Sequence, residues 1–408
     1  MYVIGGGAAG MMAAITCAEF ADVTIVEHNE KLGKKIYITG KGRCNLTNNC
    51  DAQDVISNTI RNPKFLFSAV YGFDSYMVMD FFEGMGLKLK TERGKRVFPV
   101  SDHSSDVIKT LQKALHNRGV KVLLNKSVIN ILCKDNKVTG IETNDHTIYE
   151  ADAVILASGG ASYPSTGSDG SGYKLAEKCG HTISRLTPSL VGIKTKEEYV
   201  ANMAGLSLKN IKMSVYNGDR KVFEDVGEML FTHTGISGPL CLSASSIANE
   251  SLFENDCDIY IDLKFALSYD KLDERILRDW QMIPNKEFKN SLNKLLPSAI
   301  IDAVILQSKI NPQKKVHDIN KEERKRLLET LKGFKLTSCG LCGFKEAVIT
   351  RGGILVSEVD PNKMQSKIVN GLYFAGEILD VDALTGGFNL QIAFSTGHLA
   401  GLYAGKDD

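Results

Sequence analysis

The first thirty residues constrain this chain more than any other stretch. Tyr2-Val-Ile4 is a short apolar strand that runs into Gly5-Gly6-Gly7-Ala8-Ala9-Gly10. Small residues from Met11 to Phe20 predict a helix, and Val23-Thr-Ile-Val26 a second strand closing on the acid Glu27. Each glycine of the G-x-G-x-x-G spacing has its own reason. Gly5 permits a tight strand-to-helix turn, Gly7 lets backbone approach a pyrophosphate, and Gly10 lets the helix pack on the sheet. The helix N-terminus offers unpaired N–H groups to phosphate, and Glu27 stands where ribose hydroxyls need an acceptor. Strand, glycines, helix, strand and acid, in that order, predict a dinucleotide-binding unit.

The chain's 408 residues suffice for two or three domains, each with its own core. A hydrophobic content of 43% and a formal net charge of +1 give no global field drawing the chain to nucleic acid or a membrane. No apolar stretch reaches bilayer-spanning length. With a core strand at residue 2, no room is expected for a signal peptide. The nine irregularly spaced cysteines read as reduced thiols, so a cytoplasmic location is expected. No His/Cys/Asp cluster has metal-ligand spacing, and no metal is expected.

Farther along, residues 103–117 have the spacing of a helix, and Val120–Leu124 reads as a strand. Residues 128–132 and 137–142 read as paired antiparallel strands. Ala153-Val-Ile-Leu-Ala157 is a fully apolar, buried-type strand that ends on Ser158-Gly159-Gly160. Near the C-terminus Gly371-Leu-Tyr-Phe-Ala-Gly376-Glu377 repeats the design of strand, glycine and acid. Gly386-Gly387-Phe388-Asn389-Leu390-Gln391 then opens a last helix. One nucleotide-binding domain is therefore expected from residues 1–190 plus 346–408. Short alternating segments separated by Gly, Asn and Asp turns predict an inserted β domain from 191–267 plus 333–345. Leucines and isoleucines three to four apart predict a helical subdomain at 268–332, where the charged run 321–326 reads as a solvated helix face.

A second motif is Gly33-Lys34-Lys35 through Thr39-Gly40-Lys41-Gly42-Arg43-Cys44-Asn45-Leu46-Thr47-Asn48. Glycines, hydroxyls and cations so interleaved suit a loop that meets phosphates and a polar ring system; a mobile basic loop is the alternative.

These residues carry a resemblance. The 5–10 and 39–48 segments, Gly94-Lys-Arg-Val-Phe-Pro99, Ala347–Gly353, and 371–380 with 385–391 are similar to one family from end to end. It is the family of bacterial FAD-binding flavoproteins that includes aminoacetone oxidase and 3-dehydro-bile acid Δ4,6-reductase. The resemblance implies an α/β fold: a glutathione-reductase-like, FAD-binding Rossmann domain with an inserted β-barrel-like domain and a small helical domain. Phe388 stands where family members often carry Tyr.

By the same resemblance Gly5, Gly7, Ala9 and Gly10 hold the pyrophosphate and Glu27 the adenosine ribose. Lys34 and Lys35 start the loop toward the phosphates. Thr39, Gly40, Gly42, Arg43, Cys44 and Asn45 run beside the ribityl chain and isoalloxazine. Val128 meets adenine through its backbone, and Gly159 closes the neighbouring strand end. Gly376 and Glu377 approach the ribityl and phosphate, while Asn389, Leu390 and Gln391 turn a helix N-terminus toward the ring, where it stabilises negative charge.

Since flavin carries the electron chemistry, no triad is required. Arg43 and His233 are the candidate catalytic residues, with Tyr163 and Arg96 as further contributors. His233 lies in Phe231-Thr-His-Thr-Gly-Ile-Ser-Gly238, which reads either as a flap carrying a proton donor or as a structural turn. Cys339-Gly-Leu-Cys342 reads as a redox dithiol or as unrelated thiols, and Cys44 is expected to leave the FAD non-covalent. No second G-x-G-x-x-G unit occurs, so NAD(P)H, if used, docks transiently. The expected function is reduction of a conjugated C=C in a steroid-like or enone substrate. An aminoacetone-oxidase-like amine oxidase producing hydrogen peroxide is the second reading, and a flavin-dependent RNA-modifying or redox-sensing binder the third. A small organic substrate is the expected partner, without nucleic acid or membrane; oligomeric state is not legible.

Overall fold

The computed structural model describes residues 1–406. Two compact units divide the chain: Met1–Pro188 with Phe344–Asp408, and Ser189–Gly343.

The first unit is built on a five-stranded parallel sheet in the order Leu372–Phe374, Val154–Leu156, Tyr2–Ile4, Thr24–Val26, Lys121–Leu123. The inner strands are runs of apolar residues, as expected where helices cover both faces; Val3, Ile25 and Val154–Leu156 are fully buried. From Tyr2–Ile4 the chain adds strands on one side and then returns to add them on the other. That reversal makes a switch point, with an open crevice at the carboxyl ends of the strands.

The helix Ala8–Cys17 is buried along its whole length, and the last helix, Phe388–Lys406, lies against it. Their backbones almost touch. A Cβ at Gly397 would sit 2.4 Å from the Ala9 carbonyl oxygen, and one at Gly401 would sit 2.3 Å from that of Ala13. The helix Ser104–Asn117 turns Val107, Leu111, Ala114 and Leu115 inward. A three-stranded antiparallel sheet, Val128–Lys134, Lys137–Thr143 and Ile148–Glu150, and a hairpin, Leu89–Glu92 with Arg96–Pro99, complete the parts used below.

Residues 33–48 are not the continuous loop expected. Lys34–Ile38 forms a short helix entered through Gly33 at φ 72°, and Thr47–Asn48 pairs with Arg96–Val97. The anchor is Ile36, which is 2% exposed; its burial converts a basic segment into a helical turn.

In the second unit six strands close into an antiparallel barrel: Ile193–Thr195, Gly235–Ser237, Arg220–Phe231, Ser207–Asn217, Asp258–Asp262 and Phe334–Leu341. Alternate residues fill it, among them Ile211, Met213, Val215, Ile259, Ile261, Phe334 and Leu336. The helices Tyr269–Gln281, Ser298–Ser308 and Lys321–Lys332 interrupt the barrel strands. The last of them starts in a capping box of Asn320 and Glu323 and buries Leu327, Leu328 and Leu331. Its charged first turns are paired outward, with Lys314 2.7 Å from Glu323 and Arg324 2.7 Å from Asp273. The fold class is thus the one the sequence implies. Among the described residues no helix is long and apolar enough to cross a membrane, and no cluster could hold a metal ion.

Candidate functional site

Three neighbouring parallel strands release the chain into the crevice: Ile4 into Gly5–Gly7, Leu156 into Ala157–Gly159, and Phe374 into Ala375–Glu377. The cavity holds about 420 Å³, within the usual range of small-molecule sites. Its walls also include Glu27–Asn29, Lys34–Ile36, Thr39, Lys126–Ile129, Val381, Asn389 and Leu390, all in the first unit.

The opening turn obeys the steric logic of its glycines. Gly5 has φ 104°, and a Cβ on it would lie 2.6 Å from the Ala157 carbonyl oxygen. A Cβ on Gly10 would lie 1.9 Å from the Gly5 carbonyl oxygen. Gly7 differs, with nothing within 4 Å of such a Cβ, so open cavity lies above it. No side chain caps the helix that starts there, and the N–H groups of its first turn have no intrahelical acceptor.

Glu27 is 6% exposed, and its carboxylate is fixed before any ligand arrives. Oε2 accepts from the Gly6 N–H at 2.7 Å, and Oε1 accepts from the Asn29 N–H at 2.8 Å and from Asn29 Nδ2 at 2.7 Å. Glu377 is held the same way. Its Oε1 accepts from the Thr350 N–H at 2.8 Å, and its Oε2 lies 2.6 Å from Lys35 Nζ. Lys34 donates to Asn29 Oδ1 at 2.9 Å. Among the described residues, the side chain of the wall residue Ser158 is unpartnered: its Oγ is buried and makes no hydrogen bond. An unpaired hydroxyl, an uncapped helix start, an open glycine and two lysines along one crevice fit a bound dinucleotide pyrophosphate.

The sequence-derived residues divide into two groups. Gly5, Gly7, Ala9, Glu27, Lys34, Lys35, Thr39, Val128, Gly159, Gly376, Glu377, Asn389 and Leu390 line the cavity. Gly10, Gly40, Gly42, Arg43, Cys44, Asn45 and Gln391 are not on its wall. Gly10 is buried under the turn. Gln391 is fully buried, accepting from Thr47 Oγ1 at 2.6 Å and donating to the Phe73 carbonyl at 2.9 Å. Cys44 is also fully buried, and burial pushes its thiol up to about 12, which leaves it unreactive.

Arg43 turns to the hairpin. Its guanidinium lies 4.2 Å from the Phe98 ring centroid, donates to Glu92 at 2.5 Å and donates to Asp102 at 2.8 Å. Hydrogen bonding to Arg43 holds Glu92 below the usual carboxylate range, and Lys90 with Arg43 does the same for Asp102. His233 belongs to the other unit, exposed in the turn before Gly235–Ser237, and Tyr163 sits in a turn at φ 54°. Cys339 is exposed on the strand Phe334–Leu341 and Cys342 is buried just beyond it; neither forms a disulfide.

Sequence reasoning passed over His28, Asn29, Lys126, Ser158 and Thr350. The first two follow Glu27 directly and Ser158 follows the apolar strand, so strand-end position was the available signal. Thr350 supports Glu377 from within the Ala347–Gly353 motif, which marks the segment without showing its partner.

With that geometry in place, the comparisons are specific. The family model described as the HI0933-like protein Rossmann domain matches residues 1–403. The chain belongs to the HI0933-like family. It is 33% identical over 410 residues to the 3-dehydro-bile acid Δ4,6-reductase of Clostridium scindens, covering 99% of this chain and 98% of that one. It is 29% identical to a ribosomal RNA dihydrouridine synthase of Haemophilus influenzae, covering 98% and 97%. In fold it is similar to a 3-ketosteroid Δ1-dehydrogenase of Sterolibacterium denitrificans (TM-score 0.53, 13% identity, 100% and 99% covered). It is also similar to an Escherichia coli quinol fumarate reductase chain (TM-score 0.51, 16% identity, 99% and 69% covered). This HI0933-like chain is an FAD-dependent oxidoreductase.

Proposed function

We propose that this flavoprotein reduces a C=C conjugated to a carbonyl in a small, steroid-like or enone substrate, with NAD(P)H as transient donor. The observation that carries the proposal is full-length similarity to a reductase whose name specifies such a bond. Bound non-covalently, FAD supplies hydride chemistry.

The residues divide the work of holding it. Glu27, with Asn29 beside it, accepts the adenosine ribose hydroxyls, and the backbone around Val128 meets adenine. The first-turn N–H groups at Gly7–Ala9, Ser158 Oγ and Lys35 take the pyrophosphate. Glu377, anchored on the Thr350 N–H, keeps Lys35 in place until a phosphate competes for it. Thr39, Gly376, Asn389 and Leu390 border the ring end, where the start of the last helix favours negative charge. Cys44 is too buried to attach the cofactor. His233 remains the proposed proton donor, and Arg43 acts through the hairpin it holds, not by touching the ring.

Anaerobic stopped-flow mixing with NADH or NADPH, then with a 4-en-3-one steroid, tests this reading. Bleaching of the flavin followed by reoxidation, with a product heavier by two hydrogens, supports it. Anaerobic bleaching by an amine, with hydrogen peroxide released once oxygen is admitted as the electron acceptor, refutes it. A second reading follows from the dihydrouridine synthase relatives: the bond reduced lies in a uracil ring of RNA. Saturation of uridine in a ribosomal RNA transcript, without reaction of the steroid, would decide for it.

A further inference from the structure

Residues 39–48 and 88–102 hold seven basic side chains (Lys41, Arg43, Lys88, Lys90, Arg93, Lys95, Arg96) against two acidic ones (Glu92, Asp102), in a chain of formal net charge +1. The two carboxylates are consumed by Arg43 and Lys90, which pack with them over the hairpin's inner face. Arg93, Lys95 and Arg96, at the hairpin tip, are exposed, as is Lys41. Arg96 stands 5.7 Å from the Phe98 ring and donates to the Arg93 carbonyl at 3.0 Å, and Lys95 meets Asp54 only across open surface.

The place of this tip is fixed by one side chain. Asn48 Nδ2 donates to the Gly94 carbonyl at 3.1 Å and to the Gly386 carbonyl at 3.0 Å. Gly94 is the hairpin turn, and Gly386 leads into the helix whose Asn389 and Leu390 line the cavity. The Asn49 N–H donates to the Lys95 carbonyl at 2.7 Å, tying the turn down a second time. A cationic turn is thus pinned to the segment that leads into the cavity-lining start of the last helix. The cofactor's own phosphates have their partners at the other elements, and the sequence contains no second nucleotide-binding unit.

We propose that Arg93, Lys95 and Arg96 are the docking site for the phosphates of the nicotinamide dinucleotide donor. This rests on the reductase reading above. Phosphate ester is the ligand chemistry, and guanidinium groups suit it because their planar donors pair with two oxygens at once. The same charges would attract an RNA backbone, so the experiment separates the two.

Binding of NADP⁺ to the oxidised, FAD-loaded full-length protein, followed by flavin fluorescence or calorimetry, needs no turnover. The variant Arg93→Gln/Lys95→Gln/Arg96→Gln should weaken it by tenfold or more, since charge-assisted hydrogen bonds to phosphate are lost. It should also flatten the salt dependence while FAD content stays at one per chain. Lys134→Gln/Lys137→Gln, which removes exposed charge from another hairpin, should leave the affinity unchanged and so separate local docking from net charge. An unchanged NADP⁺ affinity and salt slope in the triple variant would overturn the proposal. So would loss of RNA binding (measured with a short labelled transcript) in a variant that still binds NADP⁺. If wild-type protein binds NADP⁺ at the hairpin yet neither dinucleotide bleaches its flavin, the reductase reading fails and the site stands.

Discussion

Glu27 Oε1 and Oε2 each accept a backbone N–H, from Asn29 and Gly6, before any ribose arrives. Glu27→Ala therefore does two things. It removes the proposed ribose acceptor, and it leaves the buried Gly6 N–H unpaired at a cost of about 1–3 kcal/mol. FAD dissociation should rise by an order of magnitude or more, and the apoprotein should melt earlier. Retained FAD affinity with a lowered melting point would make Glu27 a turn residue only. His181 is a second case where hydrogen-bond accounting fixes a sign. It is 3% exposed, with Nε2 2.8 Å from Ser366 Oγ and Nδ1 3.3 Å from Glu358. Ser366 Oγ already accepts from the Ile368 and Val369 N–H groups, so its proton goes to Nε2, which must be bare. Burial pulls the His181 pKa below its usual 6.5, and Glu358 offsets this only in part. A depressed histidine pKa means that the unfolded chain binds the extra proton. Stability is then full above pH of about 6.5 and is lost as pH falls below it. Melting temperatures from pH 8 to 5 should decline below that point, and less steeply in His181→Gln; parallel curves would clear His181 of the role.

At the scale of elements, the helix pair Ala8–Cys17 and Phe388–Lys406 is close because small residues face each other. Gly401→Ala places a methyl 2.3 Å from the Ala13 carbonyl oxygen, a backbone atom that cannot turn away. Overpacking of this kind costs about 1–3 kcal/mol, which denaturant titration would read directly. Gly84→Ala, at the end of the helix Ser75–Gly84 with nothing near its Cβ, should be neutral or slightly stabilising. Equal effects at both sites would remove the packing argument. The elements of the nucleotide unit were legible because each carries a local signal: apolar runs for buried strands, glycines at turns, an acid at a strand end. Residues 39–45 were not legible. Gly40, Lys41, Gly42 and Cys44 all have positive φ, winding the segment so that Arg43 turns to the hairpin. Its partners Glu92 and Asp102 lie about fifty residues away, beyond any local pattern. Thr350 and Glu377 lie 27 residues apart, and only the fold brings them together.

For the whole molecule, every residue of the cavity wall belongs to the unit formed by Met1–Pro188 and Phe344–Asp408. The strand Leu372–Phe374 lies next to Val154–Leu156 in the sheet although more than two hundred residues separate them, so the barrel unit is an insertion between two halves of one core. Replacing residues 189–343 with a short Gly/Ser linker should therefore leave a chain that folds around FAD. Long excursions between fixed ends add little loop-closure cost in either direction. The excised protein should be yellow, melt cooperatively, and bind NADP⁺ at the hairpin as the full chain does. It should lose turnover of the organic substrate, because His233 and the rest of the barrel unit are gone. Absorbance at the flavin band, one melting curve and one turnover assay check these points together. A colourless or unfolded product would show that the nucleotide unit depends on the barrel for its stability. Full turnover would remove the barrel, and with it His233, from the chemistry.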